Sequence, residues 1–163
     1  ASGKTQVYIR LIEETLAMGR TAMLLVPEIA LTPQMMAKFT AYFGENVAML
    51  HSGLQLTERY DQWKRIRRGD VRVVLGTRSA VFAPLPDLGL IIMDEEQEPT
   101  YCSENPPRYH TRDVAQFRCA QSGALLLLGP DRFLLPSLLV TVAALTLLRP
   151  VLEPKYAEGG AAV

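Results

Sequence analysis

The sequence predicts an α/β fold, a mostly parallel sheet flanked by helices, and three observations carry that reading. Continuous apolar runs of strand length alternate with amphipathic stretches up to residue 129. Runs without polar alternation are the pattern of strands buried on both faces, and strands alternating with helices imply parallel crossovers. An acidic cluster follows one of these runs, at the strand end where such sheets place their ligands. With 163 residues, 48% hydrophobic and 21% charged, the composition is that of one folded domain rather than a disordered chain or a disulfide scaffold.

The first helix is expected over Lys4 to Met18, with Val7, Tyr8, Leu11, Ile12 and Leu16 as its apolar positions and Gly19 as its stop. The strand Ala22 to Val26 leads to a helix over Thr32 to Phe43, with Thr32 as N-cap and Pro33 at the first helical position, both favoured there. Val47 to Leu50 is the second strand. A third helix covers Thr57 to Arg68, with a Thr cap, and ends at Gly69. Val71 to Leu75 and Leu88 to Met93 follow as strands, then a helix over Thr111 to Ser122 and a last strand over Ala124 to Leu128.

Beyond Gly129 the character changes. Phe133 to Leu148 is an apolar stretch containing Pro136, short of the about 17–25 residues that span a bilayer, and it reads as a buried or poorly ordered helix with no membrane role. The expected organisation is a lobe over 1–129 and a divergent apolar tail of unknown role over 130–163.

Charge narrows the function classes. Lys plus Arg and Asp plus Glu each number 17, for a formal net charge of zero, so any nucleic-acid site must be a local patch rather than a bulk basic surface. Cys102 and Cys119 are too few for a zinc site and read as reduced thiols of a cytoplasmic protein. Lys4, Arg10, Glu13 and Glu14 break any signal-peptide core. The missing initiator Met, with a motif at the first residues, points to a fragment or trimmed product.

Ser2-Gly3-Lys4-Thr5 opens the first helix. In a Walker A loop, backbone amides and the helix dipole hold phosphates, the Lys reaches the β/γ-phosphates and the Thr hydroxyl ligates Mg²⁺. The full pattern needs a Gly five residues before Gly3, so alone the tetrapeptide equally describes a polar helix start. Asp94-Glu95-Glu96-Gln97 follows the Leu88 to Met93 run; a Walker B Asp there holds Mg²⁺ and the next Glu orients the attacking water, although a solvated acidic turn has the same composition. The two elements together point to an NTP–Mg²⁺ site.

Together with S-G-K-T, the segments LLVPEIALTPQ (24–34), LHSGL (50–54), GTRSAVFAPLPDLGLIIMDEE (76–96) and RYHTRDVA (108–115) resemble the first motor lobe of the primosomal protein N′ family, replication-restart helicases of superfamily 2. The likeness covers about residues 2–128. It implies a RecA-like P-loop NTPase lobe, ATP and Mg²⁺ as cofactors, and 3′-to-5′ movement on DNA at stalled forks. Gly3, Lys4 and Thr5 would bind phosphate, Thr5 and Asp94 the metal, and Glu95 would activate water. Single-stranded or forked DNA, primosome proteins and single-strand-binding proteins are the partners it implies.

The remaining motif residues have readings of their own. Pro27 to Gln34 leaves a strand for a Thr-capped helix, and Thr77-Arg78-Ser79 follows another strand; both could contact a phosphate, although from spacing alone an ordinary strand-to-helix cap suits the first better. In the family these segments lie along the single strand, which singles out Thr32, Thr77 and Arg78. Tyr109 and His110 fall in the family's aromatic-rich loop, which couples DNA contact to ATP hydrolysis, and Tyr101 is expected to anchor that loop. The basic run around Trp63, Lys64, Arg65, Arg67 and Arg68 reads as a solvated helix face paired with Glu58 and Asp61, Trp63 turned inward. His51 is read as structural.

The sequence also departs from the family. The strand and first Gly before Ser2 are not in the sequence, Gln97 stands where the family has His, and Gly129-Pro130-Asp131-Arg132-Phe133 replaces the expected Gly-Ser-Ala-Thr-Pro-Ser. The second lobe and the zinc-binding cysteines of full-length relatives are also absent, so membership and activity are separate questions. The alternatives are a non-enzymatic nucleotide- or DNA-binding remnant, a non-functional truncated product, and a P-loop NTPase of another class.

Overall fold

Every strand hydrogen-bonds only to strands running the same way, which the crossover helices require. The structure, a computed structural model, describes residues 3–129. The order is α1 (Gly3–Ala17), β1 (Thr21–Leu25), α2 (Pro33–Phe43), β2 (Val47–Leu50), α3 (Leu56–Arg68), β3 (Val73–Gly76), β4 (Leu88–Met93), α4 (Thr111–Ser122) and β5 (Leu125–Leu128). The sheet runs β2-β3-β1-β4-β5, with Leu24 of β1 opposite Leu75 on one side and Ile92 on the other. The expected α/β architecture is therefore present, and the apolar segment 133–148 lies outside the described residues. Among the described residues no helix is long and apolar enough to cross a membrane.

Alternation along each strand divides the core into two layers. Ala22, Leu24, Val73, Leu75, Leu90 and Ile92 face Ile9 and Ile12 of α1 and Phe39 and Phe43 of α2. Met23, Leu25, Val74, Ile91 and Met93 face Ile66 of α3 and Ala115 and Cys119 of α4. Every residue of β1 and β4 is buried, and the polar Thr21 at the start of β1 donates its hydroxyl to the Pro86 carbonyl at 2.6 Å. Cys102 and Cys119 are free thiols, and burial raises the pKa of Cys119.

Helix ends explain most boundaries. Thr32 caps α2 as its sequence demands: its hydroxyl accepts from the Met35 N–H at 3.2 Å, with Pro33 next in line. The third helix starts earlier than expected, and Thr57 is not its cap. Gln55 caps it in a reciprocal box with Glu58, whose carboxylate accepts from the Gln55 N–H at 2.8 Å, satisfying two orphan amides at once. Glu58 is thereby withdrawn from the basic run: Arg65 bonds Gln62 and the Glu45 carbonyl instead, and Lys64 lies over the Tyr60 ring. Trp63 is half-buried against the core, as read. At the other end of the molecule Arg20 donates to the Ser122, Gly123 and Leu88 carbonyls, closing the C-terminus of α4 with a cation where the helix dipole is negative.

Gly76 ends β3 where there is no room for a side chain: a Cβ there would lie 2.4 Å from the Leu50 carbonyl oxygen and 2.5 Å from the Ala80 Cβ. This close approach lets the chain turn at Thr77 into the short 3-10 segment Arg78–Phe82. Gly76→Ala is expected to cost about 1–3 kcal/mol, read as a lowered denaturant midpoint at unchanged slope. An unchanged midpoint would show that the turn relaxes freely.

Candidate nucleotide site and nucleic-acid face

A parallel sheet delivers the residue after every strand to the same edge. Here His51 follows β2, Thr77 and Arg78 follow β3, the 27–32 segment follows β1, and Asp94 follows β4. Asp94 still belongs to the ladder, its N–H donating to the Leu25 carbonyl at 2.9 Å. On α1, Lys4 precedes Tyr8 by four residues, one turn or about 6 Å along the axis on the same face. The Tyr8 hydroxyl donates to Asp94 Oδ1 at 2.7 Å. One hydrogen bond thus ties the helix that begins with Gly3, Lys4 and Thr5 to the acidic end of β4, and the Walker-like elements adjoin each other.

The turn after Asp94 is tightly determined. Glu95 has φ +48°, an uncommon left-handed conformation for a residue with a side chain, of the kind that persists where surroundings enforce it. Gly129 is one enforcer: a Cβ at that position would stand 2.8 Å from the Glu95 nitrogen, and its own N–H donates to the Met93 carbonyl at 2.8 Å. Glu96 turns inward, is buried, and lies 3.6 Å from Arg112 of α4. Neither Glu96 Oε2 nor Arg112 Nε has a hydrogen-bond partner, so this ion pair holds the turn with capacity to spare. Glu95 and Asp94 remain half-buried, facing the edge.

Tyr101 completes the support from behind. It is wholly buried, its hydroxyl donates to the Asp94 carbonyl at 2.8 Å, and its own carbonyl accepts from the Thr111 hydroxyl at 2.9 Å. Burial first, then the negative charges of Asp94, Glu28 and Glu95, push its phenol well above the ordinary tyrosine range. Tyr101 is the anchor its sequence position suggested. Tyr8 is legible in the sequence only as an apolar position of α1, and nothing in the sequence marks its hydroxyl for Asp94.

The nucleic-acid candidates line the same edge but differ in availability. Thr32 is exposed, with its hydroxyl engaged in the α2 cap. Thr77 is buried, its N–H donating to the Leu50 carbonyl. Arg78 donates to the carbonyls of Thr100, at 3.2 Å, and Cys102, at 2.6 Å, clasping the loop that follows Gln97. His110 is the N-cap of α4, its Nδ1 accepting from the Arg112 N–H at 3.1 Å. Tyr109 is half-buried and meets Phe82 edge-on at 4.9 Å.

The family model for the DEAD/DEAH box helicase matches residues 1–107. The chain belongs to the DEAD/DEAH box helicase family. Within the family it is 51% identical over 128 residues to the replication restart protein PriA of Bacillus subtilis, a match covering 78% of this chain and 16% of that protein. The Synechocystis protein of the same name is 47% identical over 129 residues, with the same shares covered. The chain thus spans about a sixth of the length of these relatives. The helicase Lhr of Mycobacterium smegmatis, solved with single-stranded DNA and AMP-PNP, superposes with a TM-score of 0.56 at 15% identity over 78% of this chain and 16% of that one. The Hef helicase domain of Pyrococcus furiosus gives 0.52 at 12% identity, covering 86% and 28%. Both likenesses speak to the fold, and they agree with the RecA-like helicase lobe read from the motifs.

The Tyr101 environment fixes a pH response. A phenol whose folded pKa lies above its unfolded value of about 10 stabilises the fold fully below that value, and the contribution is lost as pH rises beyond it. Titration at 295 nm is expected to leave Tyr101 un-ionised until alkaline unfolding, so that Tyr101→Phe lowers by one the number of tyrosines that ionise only on unfolding. An unchanged number in Tyr101→Phe would show that Tyr101 is not protected.

Proposed function

We propose that this chain is the ATP-binding lobe of a 3′-to-5′ DNA helicase of replication restart, acting on forked or single-stranded DNA with primosome and single-strand-binding proteins. The observation that carries the reading is the hydrogen bond between Tyr8 and Asp94, which brings the S-G-K-T helix start and the D-E-E turn to one strand edge. The similarity to PriA proteins supplies the biological context.

The residues suit ATP with Mg²⁺. Mg²⁺ keeps several waters and takes one or two protein oxygens beside the substrate phosphates, so Thr5 and Asp94 suffice as its holders. Among the described residues no group of three or more His, Cys, Asp or Glu assembles into a metal cage, and none is required here. Held by Thr5 and Asp94, Mg²⁺ would offset the charge that develops on phosphoryl transfer. Gly3 and its neighbours offer helix N-terminal amides to the phosphates, Lys4 adds a positive charge, and Glu95 accepts a proton from, or orients, the attacking water. Thr32, Arg78, Tyr109 and His110 form the strand-facing edge, with Thr77 buried beneath it. Arg78 and His110 also shape the loop there, since Arg78 Nη1 and His110 Nδ1 already hold backbone groups.

Strand separation requires a second lobe to close and reopen on this one; these 163 residues bind nucleotide and single strand without unwinding a duplex. A fluorescent ATP analogue with Mg²⁺ is expected to bind the chain, to bind Lys4→Ala about tenfold or more weakly, and to bind Glu95→Gln as well as the parent. Equal affinity for Lys4→Ala and the parent would remove the phosphate assignment, and unwinding by the chain alone would remove the need for a second lobe.

A further inference from the structure

The LHSGL segment and the basic third helix meet at a feature that the nucleotide site does not use. A cavity of about 210 Å³ opens at the strand edge, lined by Leu50, His51, Arg59, Trp63, Ser79 and Phe82. It is smaller than the roughly 300–1,000 Å³ of a site for a drug-sized ligand, a size suited to one planar ring system. Two aromatic side chains and one imidazole supply its walls. Phe82 is 46% exposed although it is a large apolar residue, and Tyr109 meets it in a T-shaped contact at 4.9 Å and 75°, which fixes the ring's position.

The polar groups at the cavity are equally uncommitted. Arg59 is exposed, and its guanidinium makes no hydrogen bond or ion pair among the described residues. Ser79 is exposed with an open hydroxyl. His51 accepts the Gly53 N–H on Nδ1 at 3.2 Å, leaving Nε2 as the ring's donor. Aromatic walls with a guanidinium at the rim are the means by which proteins hold an unstacked base next to its phosphate. The cavity also adjoins the proposed strand path, since Ser79 follows Thr77 and Arg78 in the same turn and Phe82 contacts Tyr109.

We infer that the cavity between His51, Trp63 and Phe82 is a nucleobase pocket, taking one unstacked base of the single strand while Arg59 meets the adjoining phosphate. It rests on the single-strand reading above and adds a base-binding position distinct from the contacts assigned to Thr32, Thr77, Arg78, Tyr109 and His110. Its base preference is weak, because stacking accepts any ring. The pocket also gives a role to His51, which its sequence position suggested was structural.

The test uses the one tryptophan of the chain, Trp63, as its own reporter. At fixed ionic strength, oligo(dT) is expected to quench Trp63 emission, while an abasic strand of equal length and charge binds without quenching. Phe82→Ala is expected to weaken oligo(dT) binding about fivefold or more, with recovery in Phe82→Tyr, and Arg59→Gln to weaken it while retaining the quench at saturation. Anisotropy of a labelled strand separates the outcomes. Binding of the labelled strand with unchanged Trp63 emission and an unchanged Phe82→Ala affinity overturns the pocket and leaves the single-strand reading intact. No strand binding at any concentration overturns both. Quenching that follows protein concentration in the absence of DNA assigns the cavity to a second copy of the chain and overturns the proposal.

Discussion

The Asp94 turn is the constraint on which the rest of the molecule depends. Two phenols grip it from opposite sides: Tyr8 bonds the carboxylate and Tyr101 bonds the backbone carbonyl of the same residue. The first bond sets the angle of α1 against β4 and so where Lys4 and Thr5 stand. The second fixes the loop after Gln97, because the Tyr101 backbone is itself held by Thr111 at the start of α4. A carboxylate so constrained keeps its position without a ligand, and preorganisation of this kind is the main source of electrostatic catalysis. Glu95, with its left-handed backbone, is aimed by the same turn.

From this turn the supports spread outward through backbone carbonyls. Arg78 clasps Thr100 and Cys102, Arg118 reaches the Val81 carbonyl, and Arg20 closes the end of α4. Burial lowers the pKa of Arg118, yet a guanidinium keeps its charge under physiological conditions. Many basic side chains are thus used to bind the fold together, which fits a chain of zero net charge whose proposed strand-facing edge rests on a few amides, hydroxyls and aromatic faces, with the uncommitted Arg59 guanidinium beside them.

Much of this was legible in the sequence because both core layers write themselves into apolar runs. Leu88 to Met93 is buried throughout and was read with its observed bounds; Thr32 and Pro33 announced the start of α2 unambiguously. The start of α3 was misread because Gln55 with Glu58 satisfies more amides than Thr57 alone, a contest between neighbouring caps that composition does not decide. Helical spacing predicts that the basic run pairs with Glu58, but the capping box takes that carboxylate. In the site, Lys4, Thr5, Asp94 and Glu95 stood out as motif residues, whereas Tyr8 did not. Its hydroxyl matters only because a residue 86 positions later arrives beside it, and periodicity within one helix carries no such information. The cavity at His51 is likewise assembled from three separate segments.

The central claim is that Tyr8 positions Asp94 for the metal–nucleotide site, and Mg²⁺ dependence of nucleotide binding tests it most directly. Partners that orient a metal ligand typically change metal affinity 10–100-fold when removed. With the fold checked by circular dichroism, Tyr8→Phe is predicted to need about tenfold more Mg²⁺ than the parent to reach half of the metal-dependent gain in ATP affinity, with metal-free binding unaltered. An identical Mg²⁺ requirement in the two proteins would contradict the account.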